Sequence, residues 1–470
     1  MALKHKGGEP VPDAKKRKRV GFTKIDPGIE ANECIKVFLV KNQDEVGDRS
    51  SFCIDPVDLN QFFGEDGKIY GYKGLKIDIW LSIVSFHGYA EITFESASDG
   101  GKGITDLKTA LQNIFGESLI EKTDFLESFS RESQCIRTVL SDGAVVRSVP
   151  LMGDETSETH VDAEVSAVEV IRMNLLSMPV GLLYSRLIPL VLLLVEGGSP
   201  IDIADPRWEI YFVVKKTREK SGDYSIKLLG FAAVYQFYHY PDSTRLRISQ
   251  ILVLPQYQGK GYGRLLLESV NFVAVSENVY DVTFEEPSEY LQHLRTCIDT
   301  LHLLSFEPLK LAINSAISSL KEGNPSKKTS KLLSGPPPRM TEIVRQKLKI
   351  NKKQFLRCWE VLIYVNLDPK DKKCMDNFKT SVSDRVRSDI LDKDSENNGK
   401  RLIEVPNDYG HDMTFVVFQS NADEEVDDQN GSLASDQSRT QEEQLNQLVD
   451  KQMKDIIEIA KKVSSFDNKQ

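Results

Sequence analysis

The sequence lacks the features that mark several classes of protein. Its six cysteines form no Cys-x-x-Cys pair and have no histidine at zinc-ligand spacing, so we expect no metal site. No secretory signal is visible, which predicts reduced thiols in the cytosol or nucleus. The longest apolar stretch, residues 178–195, is interrupted by Pro179, Arg186 and Pro189. Its uninterrupted part is too short to span a bilayer, so we expect a buried core segment and no membrane partner.

Acidic residues outnumber basic ones overall, but positive charge is concentrated at one end. The net charge of -10 argues against direct binding of nucleic acid. Residues 1–24 nevertheless contain eight lysines and arginines, and Lys15–Val20 reads KKRKRV. Such a cluster is typical of a nuclear import signal or of a solvated basic tail. We therefore expect the protein in both nucleus and cytoplasm.

Composition and periodicity divide the chain into seven segments, with a fold of the α+β class. We expect a mixed, mostly antiparallel central sheet flanked by helices, preceded by an α/β domain and followed by a small, mainly helical region. The expected segments are a disordered basic tail (1–24), a first folded domain (25–205), a core (206–320), a linker (321–339), a helical region (340–420), an acidic disordered linker (421–440) and an amphipathic helix (441–470).

Residues 251–268 read ILVLPQYQGKGYGRLLLE and place three glycines between a buried strand and an amphipathic helix. Glycine permits positive φ and leaves the backbone bare, and a helix N-terminus adds unpaired N–H groups and a positive dipole end. This combination favours a bound diphosphate. A P-loop requires Gly-Lys-Ser/Thr, and a dinucleotide-binding fold requires Gly-x-Gly-x-x-Gly in a βαβ unit. The spacing or the context excludes both.

The remaining match is Gln-x-x-Gly-x-Gly at Gln258, Gly261 and Gly263, which resembles the acetyl-CoA loop of the GNAT acetyltransferases. Further motifs resemble the catalytic subunit of type B histone acetyltransferases. They occur in order between about residues 30 and 360 and read FFGEDGKIYGYKGLKI, VYQFYHYPDSTRLRISQ, RISQILVLPQYQGKGYGRLLLESV, VTFEEPSEYLQHLR and QKLKINKKQ. The chain after residue 360 departs from this resemblance.

The resemblance implies an acetyl-CoA site along the strand and the loop, with no metal. The backbone of the strand would hold the pantetheine arm, and the loop would surround the pyrophosphate. The implied residues are Ile251, Leu252, Val253, Gln258, Gly259, Lys260, Gly261, Tyr262, Gly263 and Arg264.

An acceptor lysine has a pKa of about 10.4, so a carboxylate base is needed to remove its proton. Glu285 follows the short strand DVTF, and the resemblance places the base there. From the residues alone, a solvated residue in a loop or at the start of a helix would be favoured for Glu285, and the resemblance reverses that preference. Glu286 and Glu196 are alternative bases. Direct transfer requires no serine or cysteine nucleophile.

A basic histone tail favours acidic and aromatic contacts. The candidate contacts are Glu65, Asp66, Tyr235, Phe237, Tyr238 and Tyr240, although we expect strand packing for at least half of the aromatic ones.

The resemblance implies a lysine acetyltransferase acting on free, newly made histone H4, which accompanies H3. It also implies a WD-repeat histone-binding partner that docks on the N-terminal domain. Two alternatives remain open from sequence: acetylation of another protein or amine, and a non-catalytic acetyl-CoA-binding chromatin scaffold.

Overall fold

A computed structural model describes residues 26–57, 59–64, 66–151, 166–219, 223–322, 335–397 and 433–467. The basic cluster Lys15–Val20, Glu65 and most of the expected acidic linker lie outside these residues. The chain divides into two compact units. The first consists of Met1–Asp142, Ser177–Asp202 and Ser225–Lys227, and the second consists of Gly143–Leu176, Ile203–Tyr224 and Leu228–Gln470.

The first unit is built on a four-stranded sheet with the order β3-β2-β6-β7. Strands β2 and β6 pair in parallel, and the outer pairs are antiparallel. The elements are β1 (Ile29–Glu30), α1 (Ala31–Cys34), β2 (Ile35–Val40), β3 (Phe52–Ile54), β4 (Lys68–Ile69), β5 (Tyr72–Lys73), β6 (Lys76–Ser82), β7 (Gly88–Thr93), β8 (Ser96–Ala97), α2 (Leu107–Phe115), α3 (Lys122–Arg131), α4 (Cys135–Leu140) and α5 (Met178–Leu194).

Local signals account for the helices of this unit. Asp106 caps α2 by accepting a hydrogen bond from the Thr109 amide at 3.2 Å, and Gly116 ends it with a φ of 53°. Helix α5 is buried along most of its length, which confirms the predicted core segment. Among the described residues, no helix is both long and apolar enough to cross a membrane.

The second unit contains a six-stranded sheet with the order β14-β13-β12-β11-β10-β9. The pairs β9–β10, β10–β11 and β12–β13 are antiparallel, whereas β13 and β14 are parallel. This sheet and its helices confirm the predicted fold class. The elements are β9 (Ala144–Leu151), β10 (Ser166–Asn174), β11 (Trp208–Arg218), β12 (Tyr224–His239), β13 (Ser243–Val253), α6 (Tyr262–Ser276), β14 (Val282–Phe284) and α7 (Glu289–Leu304).

The compact units do not coincide with the boundary expected at residue 205. Strands β9 and β10 precede α5 in sequence but extend the sheet of the second unit, in which Val170 pairs with Val213 of β11. Sequence separation does not limit which strands pair, and the hydrophobic pattern of a strand does not identify its partner. Residues 143–176 therefore belong with the core.

The C-terminal helices share one hydrophobic core with α7. Its buried side chains come from every helix that follows α7 in the described parts of the chain. Helix α12 (Leu433–Asp467) begins within the segment expected to be an acidic disordered linker, so that expectation is corrected for residues 433–440. These helices are α8 (Lys310–Glu322), α9 (Pro338–Leu348), α10 (Lys352–Val365), α11 (Lys372–Asn397) and α12 (Leu433–Asp467).

Candidate active site

The glycine loop connects the end of β13 to the start of α6. Gly259 and Gly261 have φ values of 74° and 86°, in the left-handed region that side chains disfavour. Gly261 precedes α6 without a side-chain cap, and the first internal bond of the helix runs from the Leu265 amide to the Gly261 carbonyl at 3.0 Å. The amides of Tyr262 and Gly263 therefore have no acceptor within the helix. This end of α6 can seat an anion.

Packing explains none of the three glycines. A Cβ atom built on Gly259 or Gly261 would meet no atom within 4 Å, whereas one on Gly263 would lie 3.6 Å from Leu294 Cδ2 and 3.9 Å from Val253 Cγ2. Positive φ explains Gly259 and Gly261. Gly263 has helical geometry and room for a methyl group, so backbone conformation does not require glycine there.

The polar side chains of the loop differ in their contacts. Gln258 is exposed, but its Nε2 donates to the Val253 carbonyl at 3.0 Å, so its amide closes the loop onto β13. Arg264 donates to Glu268 Oε1 at 2.7 Å, one helical turn further on. Lys260 is exposed, with Nζ 5.8 Å from the centre of the Tyr257 ring. Tyr262, at the start of α6, is half-buried.

One edge of β13 is left without a neighbouring strand where it approaches the loop. Strand β14 pairs with β13 only as far as Ile248, and the Glu285 amide donates to the Ile248 carbonyl at 3.0 Å. On the opposite edge, β12 remains paired with Ile251, Leu252 and Val253. In the described part of the chain, no strand covers the β14 side of these three residues.

Gly230, which none of the sequence motifs indicates, lies opposite Val253 on β12. A Cβ atom there would come within 2.5 Å of the Leu252 carbonyl oxygen and 2.8 Å of Val253 Cα. The close approach of the two backbones therefore requires glycine. A glycine inside a predicted strand was the available signal.

Glu285 lies at this edge of the sheet. The parallel register pairs Phe284 with Ile248, so Glu285 is level with Ser249, about 7 Å along the strand from Ile251. Its side chain is exposed. Strand pairing thus brings together the candidate base and the start of the candidate cofactor edge.

The two alternative bases occupy different positions. Glu286 has a φ of 35°, a costly conformation for a residue other than glycine, and it turns the chain toward α7. Glu196 is exposed just after α5 and belongs to the first unit, whereas Glu285 belongs to the second.

The aromatic candidates divide between packing and exposure. Tyr235 packs edge-on against Trp208 and Phe237, with ring centroids 4.7 and 4.5 Å apart. Its hydroxyl donates to Asp205 Oδ2 at 2.9 Å, and burial raises the pKa of Tyr235. In contrast, Tyr238 and Tyr240 are 70% and 81% exposed.

Asp66 is engaged within its own unit. It accepts hydrogen bonds from the Tyr70 hydroxyl and, at 3.3 Å, from Lys102 Nζ. The Tyr70 hydrogen bond is the main reason that the pKa of Asp66 is lowered. Glu65 lies outside the described residues.

Two properties of the described side chains bear on the chemistry. They contain no group of three or more histidine, cysteine, aspartate or glutamate residues placed to hold a metal ion. Burial raises the pKa of all six cysteines, which favours the thiol over the thiolate, and for Cys34 the value is about 11.

The sheet, the glycine loop and the helix that follows define an acetyltransferase of the GNAT class. Residues 199–291 match the acetyltransferase (GNAT) family, whose members use acetyl-CoA. Residues 27–196 match the N-terminal domain described as "Histone acetyl transferase HAT1 N-terminus". These two matches meet close to the expected boundary at residue 205, although β9 and β10 lie in the second compact unit.

Similarity to curated proteins identifies the family. The chain is 52% identical to a histone acetyltransferase type B catalytic subunit of Zea mays, covering 99% of this chain and 97% of the relative. It is 49% identical to that of Arabidopsis thaliana, covering 97% and 96%. The chain therefore belongs to the family of type B histone acetyltransferase catalytic subunits and is a histone acetyltransferase. A solved aminoglycoside acetyltransferase covers 26% of this chain and 78% of its own, at 15% identity and a TM-score of 0.20, a likeness too slight to add to this.

Proposed function

We propose that the protein transfers acetyl directly from acetyl-CoA to a tail lysine of free, newly synthesised histone H4, with Glu285 as the general base. The observation that carries this proposal is the position of Glu285. Its own backbone amide is bonded to Ile248 of β13, just before the strand edge that leads to the glycine loop. The carboxylate and the thioester would then share one edge of the sheet.

Acetyl-CoA supplies an activated acetyl thioester, and the residues present fit such a ligand. The edge at Ile251, Leu252 and Val253 that β14 leaves unpaired offers backbone groups to the amides of the pantetheine arm. The bare loop at Gly259 and Gly261 and the amides of Tyr262 and Gly263, which have no acceptor within α6, offer donors to the pyrophosphate. Lys260 adds positive charge at the loop surface.

In the proposed reaction, Glu285 accepts a proton from the lysine ammonium, directly or through one water. The neutral lysine nitrogen attacks the thioester carbonyl, so that a C–N bond forms as the C–S bond breaks. One of the two protons left on the nitrogen is then lost to the departing thiolate or to solvent, and the other stays on the amide. Coenzyme A departs as the thiol or thiolate, and Glu285 returns its proton to solvent. Direct transfer is supported by the raised pKa values of the six cysteines, since none of them is held as the thiolate that an acyl-enzyme would require.

The proposal includes partners and location. The family membership supports histone H4 together with H3 as substrate and a WD-repeat histone-binding protein as partner, docked on the N-terminal domain. The cluster Lys15–Val20 supports shuttling between cytoplasm and nucleus. In this proposal, Asp66 is one of the acidic groups that bind the histone tail. Tyr238 and Tyr240 are exposed enough to contact a peptide.

The test compares acetyl transfer to an H4 tail peptide by the wild type, Glu285→Gln and the matched controls Glu286→Gln and Glu196→Gln. We expect kcat to fall about 100-fold or more for Glu285→Gln, with unchanged binding of acetyl-CoA. The difference in kcat between Glu285→Gln and the wild type should become smaller as the pH approaches the lysine pKa, because the amine then loses its proton without a base. If Glu285→Gln kept the kcat of the wild type while Glu286→Gln or Glu196→Gln lost activity, the general base would be the residue changed in that control and not Glu285.

A further inference from the structure

Strand β14, which Glu285 directly follows, is too short to be fixed by its pairing with β13 alone. It consists of Val282–Phe284, and it pairs with β13 over those three residues only. So short an edge strand gains little from its ladder. Besides the hydrogen bond from its own amide to the Ile248 carbonyl, the position of Glu285 therefore depends on what contacts β14 from its other side.

That other side is occupied by the segment that joins α9 to α10. The Val282 amide donates to the Lys349 carbonyl at 2.9 Å, and Val282 forms a parallel bridge with Ile350. Asn351 Nδ2 donates to the Val282 carbonyl at 3.2 Å. One turn earlier, Arg345 Nη1 donates to the Tyr280 carbonyl at 2.9 Å. This segment follows β14 by more than fifty residues and lies beyond the range 199–291 that matches the acetyltransferase family.

Helix α7 supplies a second contact from a buried charge. Arg295 is 8% exposed, and its Nη2 donates to the same Val282 carbonyl at 3.0 Å. Its guanidinium lies 4.1 Å from the centre of the Phe284 ring, and its Nε lies 3.5 Å from Asp299 Oδ2. A buried guanidinium is costly unless its donors are satisfied, so these contacts fix Arg295 against the strand.

We propose that Arg295 and Asn351 are positioning residues that fix β14 and thereby the carboxylate of Glu285. This proposal rests on the role proposed above for Glu285. It assigns to the C-terminal helical region a part in catalysis, because Asn351 caps α10, and α10 packs into the core shared by α7 to α12. Both residues act through the strand and need not touch the substrate.

Asn351→Asp separates this role from folding. The Asn351 side-chain oxygen accepts a hydrogen bond from the Gln354 amide at 2.9 Å, and aspartate keeps that helix cap. The substitution replaces the donor facing the Val282 carbonyl with a second carboxylate oxygen. We expect kcat to fall by about tenfold, because small displacements of a catalytic group are costly. The KM for acetyl-CoA and the melting temperature should not change.

The matched control is Asn377→Asp. Asn377 Nδ2 donates to the Leu320 carbonyl at 2.7 Å in the same helical region, away from β14. We expect wild-type kcat for this variant. Arg295→Lys provides a second test, since it keeps the buried charge but loses the guanidinium geometry, and it should likewise lower kcat more than it raises KM.

Two further measurements test whether Asn351 acts through Glu285. The difference in kcat between Asn351→Asp and the wild type should become smaller at high pH, because a misplaced base matters less once the lysine loses its proton without help. In a Glu285→Gln background, Asn351→Asp should lower the residual rate no further. Wild-type kcat in Asn351→Asp, with kcat lost in Glu285→Gln, would overturn the positioning role and leave the base in place. A deficit that is independent of pH and adds to that of Glu285→Gln would also overturn it. Wild-type kcat in Glu285→Gln would instead reject the base itself.

Discussion

Gly263→Ala offers the sharpest separation of structural and ligand-binding roles in the glycine loop. Gly263 lies in the first turn of α6 and does not have positive φ. The new methyl group would lie at ordinary contact distances, 3.6 Å from Leu294 Cδ2 and 3.9 Å from Val253 Cγ2. Replacing glycine with alanine within a helix stabilises it by up to about 1 kcal/mol. In the first turn, we expect a gain of about 0.5 kcal/mol.

The same methyl group should weaken binding of acetyl-CoA. It would occupy space beside Val253, whose strand edge is proposed to hold the pantetheine arm. We expect the Kd for acetyl-CoA to rise by about tenfold, equivalent to about 1.4 kcal/mol. Isothermal titration calorimetry measures the Kd, and thermal unfolding followed by circular dichroism measures the stability.

Gly261→Ala is the informative comparison, because its φ of 86° makes alanine cost about 1–2 kcal/mol. We expect this variant to lose both stability and affinity, whereas Gly263→Ala should lose affinity alone. An unchanged Kd in Gly263→Ala would refute the reasoning. Backbone conformation does not require glycine at this position, and the space needed by the ligand would then not require it either.

Two other perturbations have defined outcomes. In Gly230→Ala, the new Cβ would come within 2.5 Å of the Leu252 carbonyl oxygen, so we expect a loss of about 1–3 kcal/mol in the free energy of unfolding, and an unchanged melting temperature would contradict the close approach. Burial lowers the pKa of His87, which lies 3.2 Å from Glu132, so the unfolded chain takes up the His87 proton at a higher pH than the folded one does. The contribution of neutral His87 to the free energy of unfolding is complete above about pH 6.5 and is lost as the pH falls below that value. The urea midpoint of the wild type should therefore decrease as the pH is lowered from about 7 to about 5, and the decrease should be smaller in His87→Gln.

The glycine loop and its flanking elements could be predicted from sequence because their signals are local. Positive φ at Gly259 and Gly261 follows from steric exclusion of a side chain, and the strand and helix follow from apolar periodicity over a few residues. Glu285 could be placed at the end of β14 for the same reason. The side-chain contacts could not be predicted: Gln258 is bonded to Val253, and Asp66 to Tyr70 and Lys102.

The sequence by itself determined the elements around the site, the character of the buried segment 178–195 and the family. Only the tertiary structure decided which elements meet. It placed strands β9 and β10 in the core sheet, brought Gly230 against the backbone of Leu252 and set the segment 345–351 against β14. The physical reason is that backbone hydrogen bonds between distant strands depend on three-dimensional proximity, which the composition of a short segment does not encode.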